Sequence, residues 1–469
     1  MVTFRVILQG LIALSGIFVM ILMVYQLGLS AFGFGRRRKL YEDHEPQCRF
    51  LVLVPAHNEE AVVADIVENL QHMEYPKELY DFFIIADNCS DRTADVARQM
   101  GANVLELHKE RADDPTGKPL ALQKALNLLT GYQDRYDMLM IFDADNLIDP
   151  NMFLEVGSQY ISENRPEFIQ CYLGSKNKKG LVAWFYYTSY TITNRFFQLA
   201  KSRLGLNCTI GGTGFAVDTK YLYGRGGWTA LSLTEDFEIQ VEATLEGKRI
   251  LWNHNVRVYD EKPTRLKASY RQRTRWAQGH WFVTLRNTKR LFQAVWKKQM
   301  TVKEGVSLFT YMYSLASSLI VVGQMVAGWL LKWVNSMIKT DEAMDAVAQT
   351  TAQLADGGWV STAISIALFS YSFFLLFYVA DWMDNRVALD VRTVPKMLLS
   401  FLVNMALATC SQLVGLVRFR HQNNWVKTEH KIRRLDRSGR EARLPARARR
   451  LTNSASETVE AKIVEAQAK

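Results

Sequence analysis

Three aspartates stand at the ends of two apolar runs, from which they could form one ligand site. Asp87 closes the apolar run FFIIAD, and Asp143 and Asp145 close the run MLMIFDAD. Two carboxylates that flank one residue suit a hard divalent cation such as Mg²⁺ or Mn²⁺, which keeps other positions for water and phosphate oxygens. Such an ion offsets the charge of a diphosphate while a bond to it breaks. Aspartates after strands also form simple turns, but three of them at two strand ends favour a site.

A second group of chemically capable residues is the decapeptide QRTRWAQGHW, from Gln272 to Trp281. Its guanidinium donors suit phosphate oxygens, because the arginine fork binds two of them at once. Arginine and tryptophan together are also typical of the rim of a membrane protein, where basic groups meet headgroups. Composition alone leaves both interpretations open for this segment.

Other common centres of chemistry are not indicated. The sequence has no Gly-x-x-x-x-Gly-Lys-Ser/Thr loop, so ATP binding of that kind is not expected, although Gly117-Lys118 could place a cation near phosphates. The five cysteines form no close pair of the zinc or redox type, which favours a reduced compartment. No local motif suggests a Ser-His-Asp or Cys-His centre.

The segment from Arg49 to Asp145 supplies the elements that would position the three acids. Apolar runs of strand length, namely RFLVLVPAH, DFFIIAD, NVLEL and DMLMIFDAD, alternate with amphipathic stretches of helical length. This alternation predicts an α/β fold with a mainly parallel sheet. Since ligands bind beyond the carboxyl ends of such strands, we expect the acids to converge on one crevice.

Long uncharged stretches predict contact with the lipid bilayer. Val6 to Phe34 carries no charge, and about twenty apolar residues suffice to cross a membrane. The basic run Arg36 to Lys39 follows, which predicts that this anchor ends in the cytoplasm. Later stretches run from Val306 to Leu331, Trp359 to Ala380 and Met397 to Val417. The aromatic and basic segment from Trp184 to Arg203 indicates an interfacial helix, with a buried core helix as the alternative.

The positive charge of the chain is concentrated near its C-terminus. The 469 residues carry a formal charge of +10, to which the run RRLDRSGREARLPARARR contributes strongly. Such a run is typical of a solvated or headgroup-binding surface. Because no reader motif accompanies it, nucleic acid is not expected as a partner.

Five motifs in order resemble the signature of membrane-embedded, processive family 2 glycosyltransferases, such as cellulose, chitin, hyaluronan and poly-N-acetylglucosamine synthases. They are VPAHNEE, ADNCSD, DAD at 143–145, TED at 234–236 and QRTRW at 272–276. The resemblance implies a GT-A catalytic domain, which is a Rossmann-like α/β unit, beside an α-helical transmembrane bundle with interfacial helices. It also implies a hexosyltransferase that polymerises a β-linked extracellular or capsular polysaccharide and moves it across the membrane.

On the donor side, the resemblance assigns roles position by position. Asp87, with Asn58 and Glu59 beside it, would contact the uracil or ribose of a nucleotide-diphosphate sugar, with a UDP-sugar favoured. Asp145, assisted by Asp143, would ligate Mg²⁺ or Mn²⁺ under the diphosphate. Many relatives have two acids and a glycine where this chain has DNCSD from Asp87, so the exact donor stays open.

On the acceptor side, Asp236, beside Glu235, would be the general base that takes a proton from the acceptor hydroxyl. A single base implies direct inversion, so an α-linked donor would give a β-linked product. Gln272 and Arg275 would hold phosphate or acceptor groups, and Trp276 would stack on the acceptor sugar. Arg271, Arg273 and Trp281 fit headgroup anchoring instead. The group expected to line the acceptor path is Gly212, Thr213 and Gly214.

The segment WVKTEH, residues 425–430, resembles the gating segment that closes over the donor in cellulose synthases, or its tryptophan-containing counterpart in hyaluronan synthases. The residues implicated are Trp425, Lys427, Thr428 and His430. Of these, Lys427 or His430 would meet the diphosphate.

These interpretations divide the chain into an anchor over residues 1–35, a glycosyltransferase domain over 48–260, interfacial helices over 261–304, a C-terminal bundle over 305–418 and a basic tail over 419–469. A multi-pass protein of the cell membrane with a cytoplasmic catalytic domain is expected. Three full crossings after Val306 would leave the basic tail outside, so we expect one late apolar segment to be re-entrant or interfacial. The alternative is an external tail without a gating role.

Two other functions compete with the polysaccharide synthase. A lipid glycosyltransferase, similar to ceramide glucosyltransferases, would add one sugar to a membrane lipid and would need few helices. A non-catalytic export or scaffolding subunit would be expected to lose Asp236 or the Asp-x-Asp, and this chain keeps both. No motif specifies the sugar, the linkage, an accessory subunit or the oligomeric state.

Overall fold

The computed structural model describes residues 2–36, 38–109, 111, 115–337, 373–387 and 390–422. The gating residues Trp425, Lys427, Thr428 and His430 lie outside these ranges. The strands are β1 Phe50–Ala56, β2 Tyr80–Asp87, β3 Asn103–Leu107, β4 Met138–Ile141, β5 Leu147–Ile148, β6 Phe168–Ser175, β7 Phe215–Asp218 and β8 Ile250–Asp260.

The helices fall into those that cover the sheet and those that follow it. Helix α1 Val2–Ala31 precedes the sheet. The first group is α2 Val63–Gln71, α3 Thr93–Gln99, α4 Lys118–Leu128, α5 Tyr132–Arg135, α6 Met152–Ser162, α7 Leu181–Ile192, α8 Ala200–Arg203, α9 Thr219–Gly224 and α10 Glu235–Leu245. The second group is α11 Leu266–Trp296, α12 Val302–Met312, α13 Ala316–Met337 and α15 Val394–Val417, with α14 over residues 373–385.

One sheet of eight strands, in the order β3-β2-β1-β4-β7-β6-β8-β5, forms the centre of the catalytic unit. The pairs β3/β2, β2/β1, β1/β4 and β6/β8 are parallel, and β4/β7, β6/β7 and β5/β8 are antiparallel. The mainly parallel sheet predicted from the alternating runs is thus present. Parallel pairing brings the ends of β1, β2 and β4 to one edge, which positions the acids that follow them.

The strand β1 shows why this sheet needs helices on both faces. Phe50, Val52 and Val54 pack in a core cluster with α2, α3 and α6. Leu51 and Leu53 point the other way, into a cluster with α4 and α10. Since successive side chains alternate between faces, a strand that is apolar throughout must be buried on both sides.

The aromatic segment after β6 is one long helical rod with an irregular centre. It begins as α7, passes through a π-helical stretch at Thr193–Leu199 and ends as α8. Within the stretch, Asn194 donates to the Leu173 carbonyl at 2.7 Å. Most side chains of the rod are buried, so the alternative of a buried core helix describes it better than a helix with one exposed face.

Three helices of the described residues are long and apolar enough to cross a membrane, by length and composition: Thr3–Ala31, Ala316–Val334 and Val394–Val417. The apolar stretch from Val306 is two helices rather than one. Its first half, α12, packs with α10 in a core cluster through Leu308 and Met312. Its second half, α13, lies along the anchor α1, where Gln324 donates to Ser15 Oγ at 3.0 Å.

Helix α15 follows the surface of the catalytic unit along most of its length. Near its start, Ser400 donates to the carbonyl of Leu181 in α7. Further on, Asn404 accepts from Arg273 in α11 at 3.4 Å. At its end, the Arg418 carbonyl accepts from Gln278 of α11 at 3.4 Å.

Candidate active site

The acids at the strand ends share one cavity of about 530 Å³, as the parallel sheet predicts. Asp87 lies at one end of it, and Asp143 and Asp145 lie beside the ends of β4 and β8. Beyond them the cavity passes Glu235 and Asp236 and reaches α11. The structure therefore brings together Asp87 and Trp276, which are 189 positions apart in sequence.

The buried carboxylate of Asp87 accepts hydrogen bonds from the loops around it. Asp87 Oδ2 accepts from the Gly117 amide at 3.3 Å, and Oδ1 accepts from Asn88 at 2.5 Å. Burial raises the pKa of Asp87, and these two donors partly counter the effect. His57 Nδ1 lies 2.6 Å from the Asp87 carbonyl oxygen, and His57 lines the cavity next to this acid.

The two neighbours expected beside Asp87 behave differently. Glu59 lines the cavity. Asn58 is not among the lining residues, and its Oδ1 accepts from the amides of Ser90 at 2.7 Å and Asp91 at 3.3 Å. The Asn58 side chain therefore also fixes the loop that follows β2, and its contact with the nucleotide stays a prediction.

The two acids of the Asp-x-Asp differ in exposure. The Asp143 side chain is 41% exposed, whereas Asp145 is 4% exposed and accepts from the Glu261 amide at 2.8 Å. Across the described ranges, no three His, Cys, Asp or Glu side chains are close enough to hold a metal ion. Two carboxylates fit an ion whose other ligands are water and diphosphate oxygens, which is how Mg²⁺ is usually bound.

Lys118, at the start of α4, lies between the Asp-x-Asp and the acids at the start of α10. Its Nζ donates to Asp143 Oδ1 at 2.6 Å and to the Gly212 carbonyl at 2.5 Å, and it lies 3.9 Å from Glu235 Oε1. Burial alone would lower the pKa of Lys118, but the nearby carboxylates Asp143 and Glu235 outweigh this and raise it. The ammonium charge is therefore fixed between the acids.

Glu235 and Asp236 occupy the first turn of α10, where the helix dipole favours negative charge. Asp236 Oδ1 accepts from the Phe237 amide at 2.8 Å. Burial is the largest cause of the raised pKa of both acids; mutual repulsion adds to it for Glu235, while Lys118 and Arg275 oppose it. A carboxylate whose pKa is raised is a stronger base in its ionised form, which suits it to accept a proton from a substrate hydroxyl.

The loop before β7 comes close to the proposed base because it contains glycines. At Gly212, with φ of 80°, a Cβ would lie 3.1 Å from Asp236 Oδ2. At Gly214, with φ of 62°, it would lie 2.6 Å from Val258 Cγ2. Thr213 lies between them, and its Oγ1 accepts from the Asp143 amide at 3.1 Å. Gly212 and Thr213 line the cavity and Gly214 is not among its lining residues, so a role of the three as one group stays a prediction.

Helix α11 closes the cavity on the side away from Asp87. Gln272, Arg275 and Trp276 all line it. Gln272 Oε1 accepts from Tyr186 at 3.1 Å, and the Trp276 ring lies 6.1 Å from the Tyr186 ring at 79°. Arg275 donates to the Leu233 carbonyl at 3.2 Å, which places its charge near the acids of α10.

Two other members of the decapeptide are not placed for headgroup anchoring. Trp281 is 5% exposed, so it belongs to the protein interior. The Arg273 guanidinium lies 4.6 Å from the centre of the Tyr186 ring and also contacts α15. Aromatic stacking and helix packing, rather than lipid contact, therefore explain these side chains.

Comparison with known proteins agrees with this geometry. Residues 46–279 match the family described as glycosyltransferase like family 2. This part of the chain is a family 2 glycosyltransferase domain. The glycosyltransferase has the GT-A fold: a mannosyltransferase from Pyrobaculum calidifontis, solved with GDP-mannose and Mn²⁺, superposes with a TM-score of 0.52 at 15% identity over 79% of this chain and 98% of that one.

Three curated relatives of this glycosyltransferase support its assignment as a hexosyltransferase. The probable glycosyltransferase YdaM of Bacillus subtilis is 27% identical over 64% of this chain and 72% of that protein. The β-monoglucosyldiacylglycerol synthase of Trichormus variabilis is 29% identical over 56% of this chain and 57% of its own length. The poly-β-1,6-N-acetyl-D-glucosamine synthase of Staphylococcus aureus is 24% identical over 50% and 55%. The match thus spans little more than half of the two synthases.

Several residues of the glycosyltransferase cavity were missed by the sequence interpretation. Asp260 closes β8 and pairs with Lys262 at 2.6 Å, and its position after an apolar strand was a usable signal of the same kind as Asp87. Other residues come from distant helices, and no local pattern marks them. These lining residues are Tyr190, Tyr311, Leu315, Ala408 and Gln412.

Proposed function

We propose that this glycosyltransferase moves a hexose from a nucleotide-diphosphate sugar, with a UDP-sugar favoured, to the end of a growing β-linked polysaccharide at the membrane surface. The observation that carries the proposal is the continuity of the cavity, which joins Asp87, the Asp-x-Asp, Asp236 and Trp276. A donor that lies along the first part would present its sugar to Asp236. The acceptor would then approach from the side of Trp276.

In the proposed reaction the acceptor hydroxyl attacks the anomeric carbon from the face opposite the diphosphate. The new C–O bond forms as the bond to the diphosphate oxygen breaks, and its electron pair leaves with that oxygen. The hydroxyl proton passes to Asp236, whose raised pKa suits it to receive the proton. One displacement inverts the carbon, so an α-linked donor gives a β-linked product.

The leaving diphosphate needs positive charge around it. Asp143 and Asp145 would hold Mg²⁺ or Mn²⁺, which neutralises the diphosphate as it departs. The mannosyltransferase that shares the fold was solved with Mn²⁺. Lys118 adds a fixed ammonium beside Asp143, and its short contacts orient that carboxylate.

The part of the cavity lined by Gln272 and Trp276, called here the acceptor wall, is suited to bind a sugar chain as the acceptor. Trp276 lines the cavity, and its ring stands nearly perpendicular to the buried ring of Tyr186. An aromatic face can pack against the C–H side of a pyranose and leave its hydroxyls free, so it guides a chain without fixing it. Gln272 offers polar atoms beside the same wall.

A membrane lipid is the second candidate acceptor, and one observation favours it. The cavity is also lined by Leu315, directly before α13, and by Ala408 of α15, and both of these helices are long and apolar enough to cross a membrane. The synthase of Trichormus variabilis described above is named for a glycolipid product. Such an enzyme would add one sugar per acceptor.

We also propose a multi-pass membrane protein with its catalytic unit in the cytoplasm. Four helix ends meet this unit, which supports an even number of crossings after α12. Arg203 donates to the Phe32 carbonyl after α1 at 2.6 Å, Leu315 lines the cavity before α13, His254 lies 3.1 Å from Asp384 of α14, and Gln422 follows α15 and contacts Leu233. Helix α15 would then be the interfacial segment, and the tail would be cytoplasmic.

Product size tests the proposed function directly. Purified protein in lipid nanodiscs is given labelled UDP-glucose, UDP-N-acetylglucosamine, UDP-glucuronate or GDP-mannose with Mg²⁺ or Mn²⁺, and products are resolved by gel and by lipid extraction. A high-molecular-weight product from one donor, lost on chelation and absent with Asp236→Asn, is expected. A single lipid-soluble product would replace the polysaccharide with the lipid acceptor.

A further inference from the structure

The chain after α15 returns to the active site and bonds to the turn that precedes the proposed base. Gln422 Oε1 accepts from the Leu233 amide at 3.0 Å. Its Nε2 donates to the Phe419 carbonyl at 2.5 Å and to the Gln278 carbonyl at 3.5 Å. One amide side chain thus joins the end of α15, the helix α11 and the turn before α10.

The turn itself is fixed from several sides. The Leu233 carbonyl accepts from Arg275 at 3.2 Å, and the Ser232 amide donates to Glu238 Oε2 at 2.8 Å. Leu233 is 5% exposed, so water does not readily replace a lost partner of its backbone. Leu233 stands three residues before Asp236, and its peptide sets where α10 begins.

We infer that Gln422 is a positioning residue for the transfer reaction: it holds the Leu233 amide and so fixes the direction from which Asp236 enters the cavity. The inference rests on the proposed role of Asp236 as the base. A base must lie within hydrogen-bond reach of the proton it removes, and small displacements of such a group slow the reaction strongly. The donor end of the cavity, at Asp87, lies away from this contact.

The same geometry makes catalysis depend on the position of α15 relative to α11. Gln278 Nε2 lies 3.4 Å from the Arg418 carbonyl and 3.5 Å from the His421 carbonyl, while Gln422 reaches back to the Gln278 carbonyl. These two glutamines fasten the end of α15 to α11. If α15 shifts, Leu233 loses its partner and the base loses its support.

The test uses full-length protein in nanodiscs with UDP-glucose, UDP-N-acetylglucosamine, UDP-glucuronate or GDP-mannose, whichever supports turnover, and follows release of the nucleoside diphosphate. Gln422→Met keeps the side-chain length but removes the acceptor oxygen, whereas Gln422→Glu keeps an acceptor oxygen for Leu233. His421→Ala is the matched control, because the His421 side chain is exposed and the hydrogen bonds of this residue are made by its backbone, which the substitution keeps.

We expect Gln422→Met to lower kcat about tenfold, the effect of one lost hydrogen bond at a buried amide, with the donor KM changed less than about twofold. Gln422→Glu should recover part of kcat, and His421→Ala should match the unchanged protein. Wild-type kcat in Gln422→Met would overturn the inference, and so would equal losses in the Met and Glu variants with a matching fall in Tm. Activity retained by Asp236→Asn would instead refute the proposed base, whatever the Gln422 variants show.

Discussion

At the scale of single residues, Lys118 links donor binding to proton transfer. Its ammonium contacts Asp143 on the proposed metal side and lies near Glu235 on the side of the base. A diphosphate that enters the cavity offers oxygens to the same ammonium. The Lys118 ammonium would then interact with the donor as well as with the two carboxylates. Binding of the donor would therefore change the pKa of the base.

The first prediction concerns the base. Asp236→Asn removes proton acceptance but none of the groups around Asp87, so transfer should fall about 10²–10⁴-fold, the usual contribution of a general base, while donor affinity changes little. Turnover and equilibrium binding of a labelled nucleotide-sugar measure the two effects separately. Substantial activity in this variant would mean that another group takes the proton.

The second prediction concerns pH. Burial raises the pKa of Asp236, and only the ionised form can take a proton, so kcat/KM should fall as pH drops through this raised pKa. Lys118→Met removes a cation that lowers the pKa of Asp236, so the acidic limb of the pH profile should move to higher pH. Lys220→Met, at an exposed lysine that is not among the cavity-lining residues, is the control. If the acidic limb of the Lys118→Met profile stays at the same pH, then Lys118 does not influence the pKa of Asp236.

At the scale of elements, α11 is packed tightly between two neighbours through glycines. A Cβ on Gly279 would lie 2.4 Å from Thr234 Oγ1 and 2.8 Å from the Thr234 amide nitrogen, in the turn before α10. A Cβ on Gly415 would lie 2.4 Å from the Ala277 Cβ. Close approach on both sides lets α11 carry the Gln-x-x-Arg-Trp residues to the cavity.

The third prediction follows from this packing. Gly279→Ala should destabilise the protein by about 1–3 kcal/mol, as overpacking does, and should lower kcat because it pushes the turn that bears Leu233 and Thr234. Gly323→Ala, in α13 with nothing within 4 Å of the added Cβ, should cost nothing and gain up to about 1 kcal/mol of helix propensity. Thermal unfolding and turnover of both variants test this prediction. Equal stability and equal turnover of the two variants would show that α11 can shift freely.

At the scale of the whole molecule, one buried ion pair ties three distant parts of the chain together. Arg195, in the π-helical stretch, pairs with Asp384 of α14 and donates to the Gly35 carbonyl after α1 at 2.6 Å. His254 of β8 bonds to the same Asp384 at 3.1 Å. The anchor, the rod under the sheet and a late helix thus meet at one point on the catalytic unit.

The fourth prediction is the side of the tail. A fluorescent protein fused to the C-terminus should fluoresce, and alkaline phosphatase fused at the same position should be inactive, because the end of α15 contacts the catalytic unit through Gln422. A fusion of each reporter at the N-terminus, before α1, should give the opposite pattern. An active C-terminal phosphatase would make α15 a true crossing and would leave WVKTEH outside.

Much of the sheet and of the donor side could be predicted from sequence because both follow local rules. Apolar runs gave β1, β2, β3 and β4, and the acids after them converge as parallel strands require. Trp281 was predicted to meet headgroups and is buried instead, since a motif lists residue types but not where a side chain points. Tyr311 and Ala408 reach the cavity through helix packing, which leaves no trace in their own neighbourhoods.

The π-helical stretch at Thr193–Leu199 limits how this chain can change its length. A π turn holds one more residue than the α turn it replaces, so deletion of a single residue there would restore an α-helix. Everything on its N-terminal side would then rotate by about 100° and move by about 1.5 Å. Tyr186 would leave Gln272, and Tyr187 would leave Asp381, the contacts they make in the present register. An in-frame loss of one codon at this place would therefore act on the acceptor wall from afar, whereas the same loss in an exposed loop would pass unnoticed.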